Sequence, residues 1–247
     1  MTRHAEVAGG RGRSNVVVVD TQGLARMFDH DGELIARAPI RYSFGGRRLW
    51  SGTIDGGQLT VGGDWDRGVA AYVDGLTAVA WDHPEIARPQ RIRSADRAIA
   101  VSTEDGGVWL LDPDGRIRAR DPQLDEFLCD AVGVGLAVAD GRLVLVSTDD
   151  LRVIAPVRTA EFLPVCAVQL RDGFAVGTFG ERVVAVGTNG NERFVHRLAR
   201  REIARALLQP PGSAGLVMIV RDTRAPACGS PPSTPTVPNS TPSTSRS

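Results

Sequence analysis

The residues best suited to chemistry in this chain are acidic pairs set in short turns. Asp29-His30-Asp31-Gly32 and Asp112-Pro113-Asp114-Gly115 each place two carboxylates one residue apart before a glycine, as a calcium-binding loop begins. The twelfth positions of such loops hold Ile40 and Gln123 rather than a bidentate glutamate. We therefore interpret both segments as hairpin turns, since Asp and Gly favour turn conformations, and we expect no metal site.

Other catalytic patterns have no starting point in the sequence. It contains no Gly-x-Ser-x-Gly elbow and no His-Glu-x-x-His pair. Gly133-Val134-Gly135-Leu136-Ala137-Val138 begins like a dinucleotide fingerprint, but its sixth position is Val and no ribose-binding acid follows at the right distance. The chain contains no lysine, because all 29 of its basic residues are arginine. This excludes a Schiff-base lysine and a phosphate-loop lysine. We expect a noncatalytic protein that uses no cofactor.

The cysteines and histidines are scattered along the chain. Cys129, Cys166 and Cys228 are far apart and lack any C-x-x-C spacing, so we interpret them as reduced small hydrophobic residues and not as a disulfide framework. His30, His83 and His196 lie in different segments, and nothing in the sequence predicts their convergence. No apolar stretch approaches the roughly 18 residues of a spanning helix. We expect a cytoplasmic protein without a membrane contact.

The charges balance, with 29 basic and 29 acidic residues, so no global field draws the chain toward nucleic acid. Two segments are nonetheless rich in arginine and could neutralise phosphates. They hold Arg88, Arg91, Arg93 and Arg97, and Arg197, Arg200, Arg201 and Arg205. Neighbouring acids such as Asp96 and Glu202 and the lack of interleaved aromatics favour solvated faces over a nucleic-acid contact.

A repeated pattern supplies the elements that must position these residues. A short β-branched run, a polar turn and a second apolar run recur along the chain, as in Val16–Val19 followed by Leu24–Phe28, and in Ala98–Val101 followed by Val108–Leu111. Weaker copies begin at Leu59, Leu143, Phe174 and Leu216. The spacing of about 30 to 45 residues is typical of four-stranded propeller blades. One exception, Arg197–Leu208, has the apolar spacing of a short helix.

Two segments carry a resemblance to known repeats. Arg26-Met27-Phe28-Asp29-His30-Asp31-Gly32 and Val108-Trp109-Leu110-Leu111-Asp112-Pro113-Asp114-Gly115 resemble the strand-and-turn pattern of the WD40, YVTN and quinoprotein-like β-propeller superfamily. The resemblance implies an all-β, propeller-like repeat domain of about five to six blades, complete or incomplete, over residues 15–222. It carries over no catalytic residue. We expect residues 1–14 to form a flexible N-terminus and residues 223–247 a disordered Pro/Ser/Thr-rich tail.

These patterns predict an interaction scaffold whose loops bind another protein, because rigid blades order many loops at little entropic cost. The predicted contacts are turn residues: His30, Asp31, Asp112, Asp114, Asn189 and Asn191. The alternative is a small-ligand or enzyme-like propeller with a site at the mouth of its channel. A weaker alternative is nucleic-acid contact through the arginine segments.

Overall fold

The computed structural model describes residues 5–8, 15–43, 47–73, 75–159, 163–210 and 215–223. Over these residues the chain forms strands and turns, and they include no helix that could cross a membrane. The strands form five antiparallel sheets of four strands and a sixth sheet of two, each sheet built from consecutive strands. The all-β class predicted from the sequence is confirmed.

The sheets follow the chain in order. Sheet 1 holds β1 (Ala5–Ala8), β2 (Val16–Asp20), β3 (Leu24–Phe28) and β4 (Leu34–Pro39), and sheet 2 holds β5 (Leu49–Ile54), β6 (Gly57–Asp64), β7 (Gly68–Val73) and β8 (Ala78–His83). Sheet 3 holds β9 (Pro89–Ala95), β10 (Ala98–Thr103), β11 (Val108–Leu111) and β12 (Ile117–Asp121), and sheet 4 holds β13 (Leu124–Ala131), β14 (Val134–Ala139), β15 (Arg142–Ser147) and β16 (Val153–Pro156). Sheet 5 holds β17 (Pro164–Leu170), β18 (Gly173–Thr178), β19 (Arg182–Gly187) and β20 (Glu192–Arg197), and sheet 6 holds β21 (Glu202–Leu208) and β22 (Val217–Asp222).

Local sequence explains these hairpins. The β-branched run Val16–Val19 fills β2, and Asp20 ends it. The Asp20 Oδ1 atom accepts the backbone N–H groups of Gln22 and Leu24 at 3.0 and 3.2 Å, which closes the turn. Gly23 then adopts a φ of 76°, which residues with a Cβ seldom reach. Polar turns of this kind set the length of each strand.

The sheets pack radially around an axis lined by their first strands. Each first strand from β1 to β17 contacts the first strand of the next sheet. The second strands are covered on both sides where sheets lie on each flank, so every residue of β10 and β18 is buried. A parallel bridge between Arg47 and Arg91 shows that neighbouring first strands run in the same direction. Equivalent turns of all sheets therefore lie on the same face.

This orientation defines two faces of the molecule. We call one the connection face. It carries the connections between sheets and the turns between second and third strands, such as residues 104–107, 140–141 and 179–181. The opposite face carries the remaining turns, including those between third and fourth strands at residues 29–33, 112–116 and 188–191. The turns expected to bind a partner thus share one face.

Within the part of the chain that the structure describes, sheets 1 and 6 are each covered on one side only. In sheet 6, β22 holds the position that β10 and β18 hold in their sheets, yet Val217 and Ile219 are 48% and 53% exposed. Among the described residues β22 pairs only with β21. In sheet 1, β2 buries alternate residues, and Val16 on its other side is 38% exposed. The described part of the ring therefore has two open flanks.

The turns between third and fourth strands also differ between sheet 1 and the later sheets in whether they pack against a neighbouring sheet. A Cβ built on Gly115 of sheet 3 would lie 2.5 Å from Cγ of Trp81 in sheet 2. A Cβ on Gly190 of sheet 5 would lie 2.9 Å from the carbonyl oxygen of Pro156 in sheet 4. A Cβ on Gly32 of sheet 1 would meet nothing within 4 Å. The later sheets dock these turns on the preceding sheet, and sheet 1 leaves its turn open.

Three expectations on chain organisation meet different outcomes. The helix expected at Arg197–Leu208 is wrong, because Glu202–Leu208 forms β21 and pairs with β22 along its length. Within the predicted flexible segment 1–14, Ala5–Ala8 forms β1 and pairs with β2, so the repeats begin before residue 15. The tail predicted over 223–247 lies outside the described residues after Thr223.

Candidate functional site

A groove crosses the connection face between sheets 4 and 5. It has a volume of about 880 Å³ and is bordered by the turn at Asp140 and Gly141, the turn at Phe179 and Gly180, and the connection that includes Leu163. Propeller loops form such grooves because each sheet holds its turns rigidly beside those of its neighbour. The groove is therefore shaped by two blades rather than by one mobile loop.

Two large apolar side chains stand exposed at this groove. Leu163 is 63% exposed and Phe179 is 56% exposed. The backbone N–H of Phe179 donates to the carbonyl oxygen of Leu163 at 3.1 Å, so a fixed contact between the turn and the connection holds the two residues side by side. Exposed apolar residues that cluster in a concave surface are typical of binding sites.

Carboxylates lie along the adjoining part of the same face. A second groove of about 570 Å³ shares Leu163 and Gly141 with the first and extends toward sheet 3. Its acidic lining residues are Glu104, Asp105, Asp125 and Glu126. The Gly141 N–H donates to Oδ2 of Asp125 at 3.1 Å, which fixes that carboxylate at the junction of the two grooves. The combined groove thus joins an apolar end to an acidic end.

Some of these acids already have arginine partners. Asp105 pairs with Arg88 at 3.0 Å, and Glu126 pairs with Arg91. One basic residue, Arg142, also lines the first groove. The structure pairs neither Glu104 nor Asp125 with a basic group among the described residues. The acidic end keeps negative charge available to a ligand.

Arginine side chains from different sheets meet at the axis. We call Arg47, Arg91 and Arg93 the axial arginine group. Arg91 and Arg93 belong to β9, and Arg47 precedes β5, where its carbonyl oxygen accepts the N–H of Ile92 at 2.9 Å. All three residues are half-buried. The sequence predicted a solvated face for the segment that holds Arg91 and Arg93, whereas the fold half-buries both residues. Arg47 belongs to neither of the two predicted arginine segments.

Burial and mutual repulsion disturb the charges of this group. Burial first, and then the neighbouring charges of Arg91 and Arg47, lower the pKa of Arg93 to about 10. Burial and Arg47 also lower the pKa of Arg91, while Glu126 opposes that change. Arg93 still carries its charge at neutral pH, because a pKa of about 10 lies well above 7. The axial region therefore concentrates positive charge.

The cysteines that the structure describes lie beside this region. Cys129 and Cys166 form no disulfide within the part of the chain that the structure describes. Burial raises the pKa of the Cys166 thiol, and the neighbouring charges of Arg47, Arg91 and Arg205 only partly oppose the rise. Its Sγ donates to the carbonyl oxygen of Ala204 at 3.4 Å. Cys166 is thus a packed, protonated thiol; Cys228 lies outside the described residues.

The rest of the arginine segments disperse over the fold. Arg88 lies on the connection face, with its guanidinium 5.9 Å from the ring centroid of Trp65. Arg97 lies on the opposite face, 3.7 Å from a carboxylate oxygen of Asp55. Arg197 ends the outer strand β20. Neighbours in sequence therefore do not form one continuous basic surface.

The turn residues predicted to bind a partner lie on the opposite face, away from the groove. His30 and Asp31 of sheet 1 are exposed, and Nε2 of His30 lies 3.2 Å from Oδ2 of Asp31. In sheet 5, Asn189 and Asn191 are exposed, and Oδ1 of Asn189 accepts the N–H of Asn191 at 3.1 Å. These turns belong to sheets 1 and 5, which other sheets separate. They therefore lie on the same face but are not close to each other.

The third predicted turn is built around a structural carboxylate. Asp112 is buried, and its oxygens accept Nε of Arg116 at 2.8 Å and Nε of Arg118 at 2.7 Å. Burial raises the pKa of Asp112, but the two arginine contacts outweigh it and leave the pKa below its ordinary value. Asp114 is exposed and accepts the N–H of Arg116. In this turn Asp114 faces solvent and Asp112 holds the hairpin together.

Sequence reasoning missed the groove although one signal was present. Phe179 interrupts the turn Gly177-Thr178-Phe179-Gly180 with a large apolar residue, where polar or small residues are usual. Leu163 gives no such signal, because an apolar residue before Pro164 also suits a strand start. The position of Leu163 beside Phe179 depends on how two blades meet.

Comparisons with known proteins identify the fold. No family model matches the chain, and no curated protein matches it in sequence. Solved structures do match. The computationally designed Ika8 protein aligns with a TM-score of 0.62 at 12% identity, over 85% of this chain and 67% of that one. BamB from Moraxella catarrhalis aligns with a TM-score of 0.57 at 13% identity, over 84% of this chain and 69% of that one.

Raptor from Chaetomium thermophilum also matches, with a TM-score of 0.64 at 13% identity. The alignment covers 85% of this chain and 22% of Raptor, so the chain spans about a fifth of that protein. At these identities the likeness shows the fold alone. The chain has a β-propeller-like fold, as the repeats in its sequence predicted.

Proposed function

We propose that this chain is a noncatalytic scaffold that binds an extended segment of a partner protein in the groove of its connection face. The observation that carries the proposal is the exposed pair Leu163 and Phe179 at one end of a groove whose other end is acidic. Burying exposed apolar surface drives association, and the rigid sheets hold the groove in its binding shape.

The lining of the groove defines the chemistry of the partner. An apolar side chain of the partner packs against Phe179 and Leu163, where it removes apolar surface from water. Basic side chains next to that anchor lie along Glu104 and Asp125, where opposite charges favour the correct direction of binding. The preferred segment is therefore extended, with one large apolar residue followed by Lys or Arg.

The opposite face supports a second contact for a large partner. His30, Asp31, Asp114, Asn189 and Asn191 are exposed there and remain predicted partner contacts. Substitutions at these five positions leave the turn glycines unchanged, so we expect the variants to fold as the wild type does. Because they lie on the other face, their contribution is separable from that of the groove by mutation.

A library of random peptides displayed on phage and selected on the immobilised chain tests the proposal. We expect enrichment of sequences with a large apolar residue next to Lys or Arg. Phe179→Ala should weaken a selected peptide roughly tenfold or more, since a central aromatic contact contributes on the order of 2 kcal/mol. Phe194→Ala is the matched control, because Phe194 is 51% exposed on the outer strand β20.

Selected peptides without this pattern, or equal weakening by Phe179→Ala and Phe194→Ala, would reject the groove as the binding site. The cytoplasmic location is also a proposal. It is supported by Cys129 and Cys166, which form no disulfide among the described residues.

A further inference from the structure

The axial arginine group carries more positive charge than the neighbouring carboxylates neutralise. Arg47, Arg91 and Arg93 converge from sheets 2 and 3, and Arg91 pairs with Glu126 of sheet 4. Arg93 forms no ion pair with any residue that the structure describes, and its guanidinium Nη1 donates only to the neighbouring carbonyl oxygen of Ile92 at 2.9 Å. The protein thus supplies more guanidinium than carboxylate at this point.

This arrangement is unfavourable without a counterion. Removing a charged group from water is costly unless an opposite charge pairs with it. The lowered pKa of Arg93 reports that strain, because burial, Arg91 and Arg47 all favour its neutral form. A guanidinium has five N–H donors, and Arg93 uses one of them within the described structure. The remaining donors are available to an acceptor at the axis.

We propose that Arg47, Arg91 and Arg93 form a binding site for a small oxyanion of the phosphate type at the axis of the propeller. The planar guanidinium fork matches the spacing of two oxygens on one phosphate. Residues from sheets 2 and 3 approach such an anion from different directions, and Glu126 holds Arg91 in orientation from sheet 4. Glu126 also lines the acidic end of the groove, so the two sites adjoin. They take ligands of opposite charge through different residues, and Phe179→Ala and Arg93→Gln therefore test them separately.

Thermal unfolding and isothermal titration calorimetry test this proposal on the full chain. Sodium phosphate should raise the midpoint of wild-type unfolding in a saturable manner, relative to sodium chloride at equal ionic strength, because a ligand of the folded state stabilises it. Calorimetry should show one phosphate bound per chain. Absence of binding to the wild type in calorimetry overturns the proposal, whatever the variants do.

Arg93→Gln separates a binding role from a structural one. The variant should lose the phosphate-dependent rise and bind phosphate roughly tenfold or more weakly, since hydrogen bonds to charged groups are the stronger class. Without phosphate its midpoint should equal or exceed that of the wild type, because the substitution removes repulsion with Arg91 and Arg47. Arg93→Lys keeps the charge and should retain part of the binding.

Arg97→Gln is the matched control. Arg97 lies in the turn after β9, its side chain is 74% exposed, and it pairs with Asp55 across solvent. Arg97→Gln should bind phosphate as the wild type does, and an equal loss in both variants would overturn the axial site. A parallel titration with phenyl phosphate distinguishes the source of the anion. Tighter binding than inorganic phosphate supports a site for a phosphorylated compound, and equal binding supports a site for the free ion.

Discussion

The backbone N–H of Phe179 donates to the carbonyl oxygen of Leu163 at 3.1 Å, and this bond joins a turn of sheet 5 to the connection that leads into the same sheet. Both side chains are more than half exposed, although the backbone beneath them is held in place. A binding surface built in this way loses little conformational entropy when a ligand occupies it.

The adjacency of Leu163 and Phe179 predicts that their substitutions are coupled. If one apolar anchor contacts both, Leu163→Ala and Phe179→Ala should weaken a selected peptide by less in combination than the sum of the single effects, since neighbouring residues are not additive. A double-mutant cycle on peptide affinity measures the coupling. Strict additivity would show that the two residues contact separate parts of the ligand.

Docking of turns onto the preceding sheet predicts a contrast between two glycines. Gly32→Ala should cost about 1–2 kcal/mol of unfolding free energy, because its φ of 84° disfavours a Cβ and nothing lies within 4 Å. Gly115→Ala should cost about 1–3 kcal/mol more, because its Cβ also overlaps Trp81. Urea denaturation of both variants measures the difference. Equal costs would mean that the turn of sheet 3 does not pack on sheet 2.

The all-β class and the repeating hairpins could be predicted from the sequence because they depend on local signals. β-branched runs and Asp-Gly turns specify a hairpin within about ten residues, and the run at Val16–Val19 does form β2. The strand at Glu202–Leu208 could not be predicted, because Leu207 and Ile203 fit a helical period as well as a strand. Pairing with β22 decides between them, and that pairing is a tertiary contact.

The candidate sites depend on contacts between sheets, which local patterns do not encode. Arg91 and Arg97 are near in sequence, yet one pairs with Glu126 at the axis and the other faces solvent at Asp55. Which arginine turns inward depends on its position along β9 and on the sheet that flanks it. The predicted solvated location of this arginine-rich segment therefore holds for Arg97 and fails for Arg91.

The paired carboxylate of Asp112 predicts a specific acid sensitivity. Its pKa in the folded chain lies below the ordinary value of 3.8, so the ionised form stabilises the fold above that value. This contribution is lost as the pH falls through the lower folded pKa. Asp112→Asn should be less stable than the wild type at neutral pH, and its stability should fall less steeply below pH 3.8.

Denaturant titrations of both proteins across that acid range provide the measurement. Asp114→Asn is the control, because Asp114 is exposed and accepts only a backbone N–H in the same turn. It should follow the wild-type pH dependence closely. A wild-type slope in Asp112→Asn would show that other carboxylates dominate the acid response.

One side of sheet 6 is not covered by any residue that the structure describes, and this predicts that the chain self-associates there. A single charged residue on that side should suppress the association. The edge strand β22 carries the apolar run Val217–Val220, with Ile219 53% exposed, and such edges pair with other chains. Ile219→Lys should raise the monomer fraction in size-exclusion chromatography at high protein concentration. It should change the free energy of unfolding by no more than about 0.5 kcal/mol. Phe194→Lys is the control, because β20 already carries Glu192, Arg193 and Arg197, and charged edges resist pairing. It should leave the monomer fraction unchanged. If both variants raise it equally, general surface hydrophobicity and not the uncovered second-strand position of β22 causes the association.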